Sequence, residues 1–344
     1  MKNLLITDKT NILYLSNFAG SSGFMLITKT KKYLFTDSRY TEQAKTIIKK
    51  DITLVDVTRV FRNAKELKEN WQKILSKHRI TQLGVEESNL TVARYKRFKK
   101  MSGSKVKFKN ISGQIEKQRM IKEKDEIKKT IKSQRINEKV FLEIKKIIDK
   151  RKPVTEIELA TKIKELGGKF GAEDVSFDPI VAFGAHSSRP HHSPGKRKLK
   201  KKDIVLIDMG MKYQGYCSDM TRMILPAKPT ALETKIYNLV LEAQLAGIKG
   251  IKAGITGEKA DALSRDIIDA AGYKEQYTHS GGHGIGLDIH ESPALSKKDL
   301  SKFKENTIVT VEPGIYLPGK FGVRIEDMII ITKKGNKNLT KLPK

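Results

Sequence analysis

The first third of the chain alternates short apolar runs with stretches of helical spacing. Residues 11–18 and 24–28 read as strands, with Gly20-Ser21-Ser22-Gly23 as the turn between them, and residues 33–36 as a third strand. Residues 39–50 and 64–78 have helical periodicity, and residues 83–86 form a short apolar run that suits a buried strand. Such alternation predicts a small α/β domain over residues 1–118. From residue 121 the pattern changes. Ile127, Ile131, Val140, Ile144, Ile147 and Ile148 recur at helical spacing among charges, which predicts one or two long helices ending before Pro153. Thr155 and Glu158 form a capping box that opens the next helix. Residues 232–252 and 257–271 read as two more helices, the second stopped by Gly272. Strand pairs lie between and after them, so residues 119–344 read as an α+β domain with helices on one face of an antiparallel sheet.

Two of those strand pairs carry carboxylates on apolar chains. Val205-Leu206-Ile207 runs into Asp208, and after a turn at residues 212–214 the chain returns through Gly215 to Asp219. A hairpin centred on Tyr213 and Gln214 sets Asp208 opposite Asp219, about 5 Å apart on one face. Downstream, residues 308–312 end in Glu312, Pro318-Gly319-Lys320 turns the chain, and residues 322–326 end in Glu326. Centring that hairpin on Gly319 pairs Glu312 with Glu326. Buried acids are rare unless paired or bound to metal, and two facing carboxylates repel unless a cation lies between them.

Six of the seven histidines lie beyond residue 180: His186, His191, His192, His279, His283 and His290. The segment from His279 to Gly286 holds too many glycines for a helix, which excludes a helical His-Glu-x-x-His zinc site. Four carboxylates with an imidazole suit two hard or borderline cations such as Mn²⁺, Co²⁺ or Zn²⁺. Taken singly, each acid reads as a solvated strand end and each histidine as a satisfied core residue. In hairpin register together they do not.

Composition narrows the setting. At 344 residues the chain exceeds one ordinary core. No apolar run approaches the roughly 18 residues of a membrane span. The single cysteine, Cys217, excludes an internal disulfide and suits a reducing cytoplasm. The formal charge of +29 could serve nucleic acid, but the lysines are scattered. Only residues 196–202 form a dense basic block, and no aromatic residues interleave it as a stacking platform would require. The charge therefore reads as solvated surface.

At these residues the chain resembles the proline-specific pita-bread metallopeptidases, the Xaa-Pro aminopeptidases and prolidases. Ile207 to Gly210 and Gly215 to Arg222 look like the first metal motif of that family. His279 to Pro293 looks like its histidine motif, and Thr310 to Tyr316 and Gly322 to Asp327 like its two glutamate motifs. Ile12 to Phe18 and Leu34 to Tyr40 are similar to a creatinase-type N-terminal domain, here shortened at its start. The resemblance implies a pita-bread catalytic domain and metal ligation by Asp208, Asp219, His283, Glu312 and Glu326. Asp219 and Glu326 would be shared between two ions, Mn²⁺ first among the candidates. It assigns proton transfer to Glu312, substrate contacts to His191, His279 and His290, and to Arg324 the bracing of a ligand from behind. It implies release of an N-terminal residue before proline, with dipeptidase action as the alternative, and a cytoplasmic homodimer. A methionine aminopeptidase fits less well, because it lacks the N-terminal domain. A nucleic-acid-binding pseudoenzyme would be expected to have lost ligands, and none is missing.

Overall fold

The computed structural model describes residues 2–60 and 63–344. The chain divides into two compact units, Met1–Arg119 and Met120–Lys344. The first is built on a mixed six-stranded sheet. Its strand order is Ile52–Asp56, Lys32–Thr36, Phe24–Ile27, Leu4–Ile6, Gln82–Val85 and Lys107–Asn110. Alternation along the strands feeds two cores. Leu5, Leu26 and Phe35 face Trp71 of the helix Ala64–Lys77, while Leu4, Ile6 and Met25 face Ile12 and Ala44.

Residues 11–18 are not a strand. The helix Lys9–Ser16 occupies them, capped by the Asp8 carboxylate, which accepts from the Asn11 amide. Ile12-Leu13-Tyr14-Leu15 alone carries no clear period. The decision comes from Asn11, which is buried because its side chain donates to Glu86 and Glu116 at 2.7 and 2.8 Å and accepts from Arg119. Residues 20–23 therefore join a helix to a strand. The strands Ile52–Asp56 and Lys107–Asn110 and the helix Val92–Ser102 go beyond the elements read from the sequence. Lys107–Asn110 is an edge strand too polar to announce itself.

In the second unit a single helix, Lys124–Asp149, spans the region read as one or two, and the capping box at Thr155 and Glu158 opens Glu156–Lys169. The helices Ala231–Gly250 and Gly257–Ala270 follow. Every strand pairing in this unit is antiparallel. The helices do not share one face. Val205–Met209 lies between Ile180–Phe183 and Met220–Ile224, and both of its faces are covered. Val205, Ile207 and Met209 pack with Val140, Ile144, Leu159 and Ile163. Leu206 packs with Ile236, Val240 and Ile268. Burying each such side chain contributes about 1.5–3 kcal/mol, so an apolar run without alternation is driven to the middle of a sandwich. Among the described residues, no helix is long and apolar enough to cross a membrane.

The register of the first acidic hairpin differs from the expected one. Thr221, not Asp219, lies opposite Asp208. The turn is the pair Gln214 and Gly215, with φ of 47° and 80°, and Tyr213 pairs with Tyr216 across it. Two successive positive φ values make the two-residue turn whose twist suits a hairpin, and glycine tolerates that geometry best. The centre moves by one residue, so Asp219 becomes the diagonal neighbour of Asp208 on the same face. In the second hairpin Gly314 pairs with Arg324, and Val311 with Asp327. One register thus holds on both sides of Glu312 and Glu326 and sets them across from each other.

Because Gly215 is left-handed, Gly215→Ala should lower unfolding stability by about 1 kcal/mol, and Gly215→Asn by less. Urea midpoints measure both. Equal stability of the two variants would rule out a left-handed turn there.

Candidate metal centre

Four of the five predicted ligands sit at or beside the ends of paired strands, and the fifth, His283, lies within one. Asp208 lies near the end of Val205–Met209, and Asp219 just before Met220–Ile224. His283 is the middle residue of Gly282–Gly284. Glu312 directly follows Ile308–Val311, and Glu326 lies between Phe321–Arg324 and Asp327–Ile331. Asp219, His283 and Glu326 each aim one ligand atom into a cluster whose atoms lie within 4.8 Å of one another. Asp208, Asp219 and Glu326 are buried, and Glu312 is 15% exposed along its side chain.

The glycines of the histidine segment answer a steric demand. A Cβ on Gly282 would lie 2.1 Å from the Thr310 carbonyl oxygen, and one on Gly284 would lie 2.5 Å from that of Ser292. Only bare backbone lets the His283 strand fit between its neighbours, Glu291–Leu295 and Ile308–Val311.

Hydrogen bonding leaves one face of each ligand free. Arg324 donates to Asp208 Oδ2 at 2.6 Å, and Asp208 Oδ1 is buried with no partner among the described residues. Thr221 donates to Glu326 Oε2 at 2.7 Å, while Glu326 Oε1 and Asp219 Oδ1 are likewise buried and unpartnered. Thr310 donates to Glu312 Oε1 at 3.2 Å. His283 Nδ1 faces the Gly284 carbonyl at 3.0 Å, which can only accept, so the ring proton sits on Nδ1. The lone pair on Nε2 then points at Asp219 and Glu312, 3.6 and 3.4 Å away. Lone pairs facing lone pairs repel. Three orphaned carboxylate oxygens and an unprotonated imidazole nitrogen make a donor set that a divalent cation satisfies.

The electrostatics agree. Burial, then the charges of Glu326, Asp208 and Glu312, push the Asp219 carboxyl far above the usual carboxylate range. Burial, then Glu312 and Asp208, do the same to Glu326. Burial pushes Glu312 up to about 7, and Asp208 adds to it against the pull of Arg324. His283 is pushed down by burial.

Around this cluster, Arg324 also donates to Thr221 at 3.1 Å and to the Tyr316 hydroxyl at 2.6 Å. Tyr316 in turn contacts His279 Nε2 at 2.9 Å, and His279 Nδ1 faces the Ser280 carbonyl at 2.8 Å. Both nitrogens of His279 are thus committed, and burial, then Arg324, hold it down to about 3 and neutral. The rings of His283 and His290 meet edge to face with centroids 4.4 Å apart. His290 and His191 are exposed at the surface, and burial of the ring, then His283, push His290 down. Several residues here went unassigned in the sequence reading. Thr221, Thr310 and Tyr316 lie inside the quoted motifs, but threonine and tyrosine give no signal as positioning groups. Arg265 pairs with Asp261 and donates to the His279 carbonyl at 2.7 Å, and its place on a helix offers no signal at all. The other histidines of this unit, His186 and His192, meet Glu156 rather than this cluster.

The fold and this cluster define a metal-dependent hydrolase. Residues 128–333 match metallopeptidase family M24, and residues 1–121 match the creatinase/prolidase N-terminal domain, so the chain belongs to family M24. It is 37% identical to an Xaa-Pro dipeptidase of Pyrococcus horikoshii over 340 residues, 98% of this chain and 92% of that one. An Xaa-Pro dipeptidase structure from Bacillus anthracis superposes with a TM-score of 0.93 at 41% identity, covering 100% of this chain and 94% of the other. An X-Pro aminopeptidase structure from Thermotoga maritima gives 0.90 at 36% identity, with 100% and 96% covered.

Carboxyls that hold protons must release them to a cation, whereas the lowered His283 is already neutral. Metal uptake should therefore release more protons at pH 6 than at pH 8.5, and affinity should weaken as pH falls through 7. Titration calorimetry of Mn²⁺ in buffers of different ionisation enthalpy reads the release. A proton count that does not change with pH would contradict the assigned carboxyl shifts.

Proposed function

We propose that this metallopeptidase is an Xaa-Pro aminopeptidase, an exopeptidase that uses two divalent cations to cleave the bond preceding a proline in second position. The observation carrying the reading is the inward-facing set of unpartnered oxygens on Asp208, Asp219 and Glu326 beside the free nitrogen of His283. Asp208 would hold one cation and His283 with Glu312 the other, with Asp219 and Glu326 serving both. Mn²⁺ is the first candidate, and Co²⁺ or Zn²⁺ also suit these donors. When bound, the cations supply Lewis acidity and activate water near neutral pH.

The protein's own groups do the rest. Glu312 takes the proton of the attacking water and passes it to the leaving imino nitrogen. His290, at the exposed rim, donates to the developing oxyanion. His191 and His279 border the substrate, and Tyr316 keeps the His279 ring in place. Arg324 holds Asp208 Oδ2 so that Oδ1 stays available. Proline offers no amide N–H, so specificity rests on a pocket for its ring. A cytoplasmic homodimer belongs to the same reading, and the single cysteine fits a reducing compartment. Xaa-Pro dipeptidase action is the second reading, favoured by the names of the Pyrococcus horikoshii and Bacillus anthracis relatives.

Hydrolysis of Xaa-Pro and Xaa-Pro-Xaa peptides under Mn²⁺, Co²⁺ and Zn²⁺ tests the proposal. Cleavage of the tripeptides supports the aminopeptidase, and cleavage of dipeptides alone supports the second reading. Cleavage of Met-Ala peptides but of neither proline substrate would overturn both. Asp219→Ala is expected to abolish turnover and metal uptake while preserving the far-ultraviolet circular dichroism. Unchanged activity would remove Asp219 from the ligand set.

A further inference from the structure

Glu156 is the first residue of the helix Glu156–Lys169, and its side chain is fully buried. Both of its oxygens are saturated. Oε1 accepts from the Phe183 amide at 2.9 Å and from His186 Nδ1 at 2.8 Å. Oε2 accepts from His192 Nε2 at 2.9 Å and from the Gly195 amide at 3.1 Å. These four donors lie along one loop, the stretch between the strand Ile180–Phe183 and Gly195. A carboxylate at a helix N-terminus is favoured by the local dipole, which offsets part of the cost of burying it.

The same loop is held from the opposite side by the second acidic hairpin. Gly322 donates to Ser187 Oγ at 2.9 Å, and Arg324 reaches the Pro190 carbonyl at 3.3 Å. His191 sits between the two anchors. The residue before it is held by Arg324, which also grips Asp208, and the residue after it is held by Glu156. His191 itself is exposed. Two histidines and a carboxylate could also ligate a metal ion, but this cluster lacks what marks the metal centre. None of its nitrogen or oxygen atoms is among the buried unpartnered ones, and both carboxylate oxygens are already spent on hydrogen bonds.

We infer that Glu156, through His186 and His192, is a positioning residue that sets the loop bearing His191 over the substrate. The inference rests on the role proposed above for His191. It requires opposite tautomers, with the proton of His186 on Nδ1 and that of His192 on Nε2, since each faces the carboxylate through that nitrogen.

In the Mn²⁺-loaded full-length enzyme, Glu156→Gln should lower kcat/KM for proline peptides by about tenfold, the usual effect of losing a group that orients a site residue. Metal content should not change, and Glu156→Asp should recover part of the loss. In a His191→Ala background, adding Glu156→Gln should cost less than about twofold, because the two changes remove one function. Equal losses in both backgrounds would overturn the inference, since Glu156 would then support the fold in general. Should His191→Ala prove fully active, or the wild-type enzyme cleave no proline peptide, the fault lies with the functional reading. Nitrogen-15 spectra of labelled histidines then judge the clamp alone. The wild type should show one protected Nδ1–H and one protected Nε2–H signal that Glu156→Gln abolishes. Their absence from the wild type, or their loss on adding Zn²⁺ beyond the two-ion stoichiometry, would refute the clamp.

Discussion

Negative charge gathered away from water is the constraint on which the catalytic unit depends. Asp208, Asp219, Glu312 and Glu326 converge in a space that burial has largely dried, and the charges of Asp208, Glu312 and Glu326 raise the cost of ionising their neighbours. The protein tolerates this with one buried cation of its own, Arg324 on Asp208, and hydroxyl donors on Glu326 and Glu312. Those groups orient the carboxylates without neutralising them all. The remaining imbalance is what makes the cluster a receptor for divalent ions, because the same repulsion that costs stability becomes affinity once a cation enters.

Such an arrangement needs a rigid frame. The two hairpins supply it by using backbone pairing, which fixes register, to deliver side chains that would otherwise move apart. Arg222 shows how far the bracing goes. Its guanidinium is buried and donates to the Glu326 carbonyl, to Asp327 and to the carbonyls of Leu342 and Pro343, so the backbone at Glu326 is tied to residues 342 and 343. Gly282 and Gly284 do the converse by removing bulk where two strands must nearly touch. Rigidity of this kind matters because metal-assisted chemistry tolerates little error in ligand position.

The large positive charge bears on none of this directly. The lysines are mostly on exposed surface, and where they pair, as at Lys32 with Asp51 or Lys145 with Asp149, the pairs are solvated and contribute little. Lys344 pairs with the buried Asp327, and Lys122 departs further from the pattern. It is buried against Glu291, next to His290, and there a lysine has a structural task that no count of charges would reveal.

Much of the centre was legible because its chemistry is written in residue types that are rare in apolar strands. Carboxylates at the ends of valine- and isoleucine-rich runs, and histidine among glycines, point to a metal without any structure. The long helices and the capping box were legible for a related reason: periodicity and capping are local. Tertiary structure decided what local pattern leaves open. The partners of Asn11 turned an expected strand into a helix, since a polar residue can be buried only where distant donors and acceptors meet it. Register within the first hairpin was set by which residues could adopt positive φ, moving the partner of Asp208 to Thr221. The Glu156 cluster joins residues 27 to 39 positions apart through one carboxylate. Sequence alone determines which groups want a cation or a core. Only the folded chain determines which of them arrive together, because hydrogen bonds and charges act through space and take no account of distance along the chain.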